Sequence, residues 1–408
     1  MLNQNLKLPC GVTIKNRIAK AALSENMAFK SHCPGKEFET LYSLWANGGA
    51  GLVITGNVMI DSSALGEPYN VVIEKNHTCL EELKNWAQQG SKNNTHIWMQ
   101  LNHPGKQSPK YLSEKPVAPS AIAYSSALKN MFNPPKELTE VEILNLIDRF
   151  AFAAKTAKRA GFTGVQIHAA HGYLVNQFLS PLHNQRSDKW GGSLNNRMNF
   201  VIGVYQKIRQ EVGVDFPIGI KLNSADFQKG GFTEEESMEV VQKLASLGID
   251  LFEISGGTYE APKMMESQKQ SSSTKIREAF FLDYCEKIRQ KIQTPILLTG
   301  GFRTQAGINQ ALTSKATDMI GLGRTLALNP SFANQLLQNE KITSQVKPLS
   351  SGFTSIDKLI PLEIVWYTEQ LHRMGKGKMP KENLSVMLTI IKTTLSLGTS
   401  LLKKNRAK

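Results

Sequence analysis

The chain has 408 residues, 41% of them hydrophobic and 20% charged, which is enough apolar material for a large core and rules out disorder over most of its length. Its formal net charge is +14, yet from Leu371 onward nine Lys or Arg stand against Glu382 alone, so +8 lies in the last 38 residues and the body is only mildly basic. No aromatic or recognition motif accompanies that charge, so nucleic acid is not expected as a partner.

Short apolar runs that follow helical stretches recur along the chain, the pattern of parallel strands buried on both faces. Eight are expected, at Arg17–Leu23, Gly51–Val58, His96–Leu101, Gly164–His168, Pro217–Leu222, Leu251–Ile254, Pro295–Thr299 and Asp318–Gly321. Amphipathic segments separate most of them; Glu140–Arg159 carries Ile143, Ile147, Phe150, Ala154 and Ala157 at helical spacing. Repeated β–α alternation predicts an α/β chain folded as a closed (β/α)8 TIM barrel over residues 1–345, with an open doubly wound sheet as the alternative. The stretch Asn102–Lys136, rich in Pro and Ser, is long for a connection and is expected to be a functional insertion or lid.

Residues 346–408 are expected to form a C-terminal helical extension, basic at its end. There Leu384, Met387, Leu388, Ile391, Leu395 and Leu402 share one helical face. Lys392, Gly398 and several Ser or Thr make the segment too short and too polar for a membrane span. Docking on the chain's own barrel or on a partner subunit is the plainer reading, and peripheral contact with an anionic membrane surface the sharper one. Cys10, Cys33, Cys79 and Cys285 are scattered with no CxxC pair, which argues against a disulfide framework, a zinc site or an iron–sulfur cluster and fits a reducing cytoplasm. The opening MLNQNLKLPC has no apolar run behind a basic start, so no secretory signal is expected.

In a barrel, chemistry gathers where strands end at their C-terminal face. The densest such end is His168-Ala-Ala-His171-Gly-Tyr173: two imidazoles beside a phenol can grip a carbonyl or nitro oxygen while an O–H supplies a proton. The plainer reading is a pair of capping or core histidines, and a metal site lacks a third ligand. Gly300-Gly301-Phe302-Arg303 follows the seventh run and Gly323-Arg324 the eighth, where backbone N–H groups and a guanidinium can hold a phosphate. Ser24, Gly56, Gln100 and Lys221 each lie toward the end of an apolar run or just past it and supply what an isoalloxazine ring requires, namely small residues, an amide or hydroxyl, and a cation. Singly, each is equally an ordinary loop residue. Lys221 also suits a Schiff-base lyase, which would leave the His-His-Tyr group and Gln100 unexplained.

These motifs together resemble the Old Yellow Enzyme family of NAD(P)H:flavin oxidoreductases. The likeness rests on Asn16-Arg17-Ile18, on Gln100-Leu-Asn-His103-Pro-Gly105, and above all on Gly161 to Pro181 continuing through Arg186, Asp188, Gly191-Gly192-Ser193 and Asn196-Arg197, with Gly300-Gly301 and Gly323-Arg324 closing it. It spans about residues 5 to 340 in order. The resemblance implies a one-domain enzyme that carries FMN alone and reduces activated C=C bonds of enals, enones, maleimides and nitroalkenes with NADH or NADPH in a ping-pong cycle. It implies that Ala21, Ala22, Leu23 and Ser24 line the flavin, with Ser24 tuning its potential. Gly56, Gln100 and Lys221 would meet the ring's polar edge, and Gly300, Gly301, Gly323 and Arg324 the phosphate. His168 and His171 would bind the substrate oxygen, and Tyr173 would donate the proton. The chain departs from the pattern at Lys221, where relatives usually have arginine, and at Asn26, where many bacterial relatives have tyrosine. A homo-oligomer is implied only by analogy. The competing reading outside enzymology is a scaffold that acts through the basic tail and has no need of His168, His171 or Tyr173.

Overall fold

The computed structural model describes residues 1–258, 281–338 and 341–404. All eight apolar runs form strands: β1 Ile18–Lys20, β2 Leu52–Met59, β3 His96–Asn102, β4 Gly164–Ala169, β5 Ile218–Asn223, β6 Leu251–Ser255, β7 Ile296–Thr299 and β8 Met319–Leu322. Each is parallel to its sequence neighbours, and β8 pairs with β1, with Ile320 opposite Ile18, so the sheet closes into a barrel. The open-sheet alternative is thereby excluded.

Helices α1 Lys36–Asn47, α2 Leu80–Gly90, α3 Glu140–Arg159, α4 Leu194–Val212, α5 Glu234–Ser246, α6 Leu282–Arg289, α7 Gln305–Thr313 and α8 Arg324–Leu328 follow the strands in order. Their starts are written locally. Thr139 with Glu142 and Thr233 with Glu236 form reciprocal capping boxes at α3 and α5, each satisfying N–H groups that the first turn leaves unpaired. The residues expected to face inward on α3, from Ile143 to Ala157, are buried.

The N-terminal end of the barrel is sealed with carbon. A hairpin of Leu6–Lys7 with Thr13–Ile14 crosses it and packs Leu6, Leu8 and Ile14 on the inward residues Ala19, Leu52, Ile54, Trp98, Leu251, Leu297 and Met319. Trp98 fits because Gly164 and Gly219 face it; a Cβ built on them would lie 2.5 and 2.7 Å from the indole. With this end plugged, the open end is the C-terminal one.

Beyond the barrel, α9 Leu362–Gly375 packs on α1, and α10 Val386–Lys404 packs on α9. The latter docks through Thr389 and Ile390, whereas Leu388, Ile391 and Leu395, on the face expected to be covered, are exposed. The Leu402 side chain lies outside the described residues. Among the described residues no helix is long and apolar enough to cross a membrane.

One expectation is corrected. Cys33 and Cys79 are joined as a disulfide across 46 residues, with the His77 ring against both sulfurs. Spacing along the chain hid this, because the connections after β1 and β2 run side by side and bring distant cysteines together.

Candidate active site

On β3 to β7 the inward residue two positions further along the strand is polar. Gln100 donates to Gln166 at 2.7 Å, Gln166 donates to Glu253 at 2.8 Å, and the Thr299 hydroxyl donates to the other Glu253 oxygen at 2.8 Å. Lys221 Nζ lies 3.2 Å from that same oxygen, and both side chains of the pair are buried. A buried charge is tolerated only when paired and hydrogen-bonded, and this layer meets both conditions. Glu253 escaped sequence reading although its signal was there: a carboxylate inside the apolar run Leu-Phe-Glu-Ile.

Above this layer opens a cavity of about 490 Å³. Every one of the fourteen expected site residues lines it: Ala21, Ala22, Leu23, Ser24, Gly56, Gln100, His168, His171, Tyr173, Lys221, Gly300, Gly301, Gly323 and Arg324. The expected lid contributes Gln107, Pro109, Met131 and Phe132. Unforeseen are Glu67 from the connection after β2, and Glu363, Ile364, Tyr367, Thr368 and Leu371 from the C-terminal extension. The extension therefore forms part of the cavity wall.

His168 is the penultimate residue of β4, which is buried throughout, and its Nδ1 accepts the Ala170 N–H at 3.3 Å. The proton of the neutral ring therefore sits on Nε2, which becomes a donor. Burial first, then His171 and Lys221, hold the His168 pKa well below the ordinary value. His171 is held down to about 3, by desolvation first and then by Lys221. Both rings are neutral at pH 7 and offer hydrogen bonds rather than charge.

The turn carrying His171 is unusual, since His171 and Gly172 both have positive φ, 62° and 78°. It is clamped from three directions. Asn223 accepts the His171 N–H at 3.2 Å, Asn176 accepts the Gly172 N–H at 2.8 Å, and Gln177 donates to the Gly172 carbonyl at 2.7 Å. Ser255 Oγ lies 2.7 Å from His171 Nε2. Tyr173 stands edge-on to His168 at 4.8 Å between ring centroids, and His171 edge-on to it at 5.2 Å. The rest of the signature segment is scaffold: Arg186 donates to the carbonyls of Pro119, in the long insertion, and of Leu138, just past it, and Arg197 pairs with Glu236.

On the opposite wall, the Ser24 hydroxyl donates to Glu67, whose pKa is pushed up to about 7 by burial and by Glu25. Gly56 sits at a bulge between β2 and β3; its N–H is engaged by Glu25 at 2.9 Å and its carbonyl by Thr55 at 2.8 Å. Gly56 thus contributes space rather than a free donor, since a Cβ there would meet Glu25 at 2.1 Å.

The cavity fits a flavin mononucleotide. Ala21, Ala22 and Leu23 give an apolar wall, Gln100 and Lys221 a polar edge, and Gly300 and Gly301, with φ of 129° and 86°, a backbone that only glycine adopts readily. Arg324 is beside them, held by Glu363 at 2.8 Å. These residues could hold a ring, its polar edge and a phosphate in one continuous cavity.

The family model for the NADH:flavin oxidoreductase / NADH oxidase family matches residues 5–342. An NADH-dependent flavin oxidoreductase of Hypocrea jecorina is 37% identical over 360 residues, 83% of this chain and 89% of the relative. Another from Talaromyces variabilis is 35% identical over 406 residues, 92% of this chain and 98% of that one. The structure of the Old Yellow Enzyme homologue of Zymomonas mobilis superposes with a TM-score of 0.70 at 26% identity, covering 86% of this chain and 98% of that one. FMN is the cofactor and a nicotinamide the reductant, which leaves the Schiff-base lyase and scaffold readings without support. With a closed barrel, a cavity at its C-terminal mouth and a family match over most of its length, the chain belongs to the NADH:flavin oxidoreductase / NADH oxidase family, the Old Yellow Enzymes.

Proposed function

We propose that this protein reduces electron-poor C=C bonds in enals, enones, maleimides and nitroalkenes, with NADH or NADPH as the electron source. The observation that carries this reading is the pair of neutral imidazoles with a phenol beside them at the end of β4, lining the cavity. When bound, FMN would supply the redox chemistry, hydride exchange with the nicotinamide and the alkene.

The residues supply polarisation, orientation and a proton. His168 Nε2–H and the His171 ring hold the carbonyl or nitro oxygen, so negative charge developing there is stabilised by donors already fixed in place. Neutrality suits this task, because a cationic ring would bind inorganic anions as readily as a substrate oxygen. Tyr173 delivers its phenolic proton to the α-carbon and regains it from solvent. Lys221, held by Glu253, would present a cation to the polar edge of the flavin; Ala21, Ala22, Leu23 and Ser24 would flank the ring, and Gly300, Gly301, Gly323 and Arg324 would hold the phosphate.

The test is the visible spectrum of the purified protein under anaerobic conditions. Flavin bands that bleach with NADH or NADPH and return with 2-cyclohexenone are expected. In Tyr173→Phe the bleaching should persist while the return slows about 10²–10⁴-fold. A yellow protein bleached by nicotinamide but never reoxidised by any enone, maleimide or nitroalkene would remove the alkene reading and keep the family.

For the tail we infer an anionic lipid surface as the partner. Leu388, Ile391 and Leu395 are 67, 49 and 66% exposed on one face of α10, and Lys403, Lys404, Arg406 and Lys408 follow in the sequence. Apolar side chains beside clustered cations match an acyl boundary beneath anionic headgroups. The protein should co-sediment with phosphatidylserine vesicles and lose this in L388S/I391S/L395S. Equal binding to neutral phosphatidylcholine vesicles, or a dimer that the same triple variant dissolves, is the contrary result.

A further inference from the structure

Cys33, His77 and Cys79 lie outside the cavity and take no part in the chemistry above. Cys33 is in the connection between β1 and α1. His77 and Cys79 are in the connection between β2 and α2, with Cys79 at the start of that helix. All three are half-buried, with one ligating atom of each within 4.8 Å of the others. The disulfide accounts for the two sulfurs but not for the imidazole. His77 Nε2 lies 3.4 Å from Cys79 Sγ and 3.7 Å from Cys33 Sγ, nearly equidistant. A tetrahedral zinc ion with bonds of about 2.3 Å to sulfur and about 2.0 Å to nitrogen places S and N about 3.5 Å apart. The ring is thus at ligand distance from both sulfurs at once.

The backbone holds it there. Glu74 and His77 exchange N–H···O bonds at 3.0 and 2.9 Å, and the Val72 N–H donates to the His32 carbonyl at 3.1 Å, which ties the two connections next to Cys33. The pair of Cα atoms is 5.6 Å apart, near enough for both thiolates to serve one ion.

We propose that the reduced form of this cluster is a zinc site, with Cys33, Cys79 and His77 as protein ligands and water in the fourth position. Two thiolates and an imidazole form a donor set that favours zinc over hard cations. Reduction must come first. A phosphine attacks one sulfur, the S–S bond breaks, and the second sulfur leaves as a thiolate that takes a proton. Water then releases the first as a thiol, and the phosphine becomes its oxide. Zinc displaces both thiol protons to solvent. Ser24 and Glu25 lie in the first of these connections and Glu67 in the second, so the ion and the disulfide are alternative staples for the same two cavity-lining segments.

The test uses the intact flavoprotein, reduced with tris(2-carboxyethyl)phosphine, incubated with zinc sulfate, desalted and measured by elemental analysis. Wild type should hold one zinc per chain, and His77→Ala and the double variant C33S/C79S should fall to background while keeping their FMN. Should the variants fold poorly, wild type alone decides. Zinc should block iodoacetamide labelling of Cys33 and Cys79, as read by peptide mass spectrometry, and a chelator should restore it. Wild type at background zinc with both thiols freely labelled, or His77→Ala that binds as wild type does, would overturn the assignment.

Discussion

Two layers of the same barrel, two residues apart on the same strands and on the same inward face, have opposite chemistry. Toward the N-terminal end stand Trp98, Gly219, Leu251 and Leu297; one strand period later come Gln100, Lys221, Glu253 and Thr299. Because side chains alternate with period two, both sets point into the barrel. The lower layer lowers the free energy by burying carbon against the N-terminal hairpin. The upper one forgoes that gain, and its polar groups are tolerated because each finds a partner in the same ring. Stability and function are thus separated by about 7 Å of strand.

Matched substitutions should break this separation if it is wrong. Glu253→Gln removes the acceptor of Lys221 and opposes a donor to Gln166, leaving a buried cation unpaired, so a loss of about 3–5 kcal/mol is expected, together with loss of FMN. Trp98→Ala should cost a similar amount, about 3–5 kcal/mol, by opening a cavity, yet retain FMN. Guanidinium denaturation and flavin content measured on both variants decide; a Trp98 variant that loses its flavin while the Glu253 variant keeps it would refute the division.

His168→Ala and His171→Ala should each lower kcat with enones by about 10²–10³, or about 2.7–4 kcal/mol of transition-state stabilisation, with the rate of flavin reduction by NADH changed little. Rapid-mixing kinetics of the two half-reactions separate these effects. Equal losses in both half-reactions would mean the imidazoles hold the site together rather than the substrate.

The smallest effect concerns acid. His103 and His183 are buried and depressed to about 4 and about 3, in both cases by burial first; Lys106, 3.0 Å from His183, adds to the latter. Between those values and about 6.5 the unfolded chain binds protons that the folded chain refuses, so stability rises with pH across that window and is lost as pH falls. Each should contribute at most about 1.4 kcal/mol per pH unit. Denaturation midpoints at pH 7.5, 6 and 5 check the slope, and His183→Gln should flatten it.

Legibility followed the range of the interactions. The strands were readable because burial on both faces writes a continuous apolar run, and α3 because its apolar stripe and capping box are local. The fourteen expected residues that line the cavity were readable because they lie in the C-terminal halves of strands or just past them. Glu67 was not, since its significance arises only when the connection after β2 folds back on Ser24. Nor were Glu363 and Tyr367, which reach the cavity from helix α9, more than thirty residues past the end of β8.

By itself the sequence determined the eight strands and the residues offered at their C-terminal ends, because periodicity and strand-end position are properties of neighbouring residues, whereas closure of the sheet was settled by the pairing of β8 with β1. The tertiary structure alone decided which of those offers became partners: that Lys221 meets Glu253, that Ser24 meets Glu67, that Cys33 meets Cys79 beside His77, and that α10 leaves Leu388, Ile391 and Leu395 uncovered. Each of these depends on the relative placement of segments far apart in the chain, which no local pattern encodes.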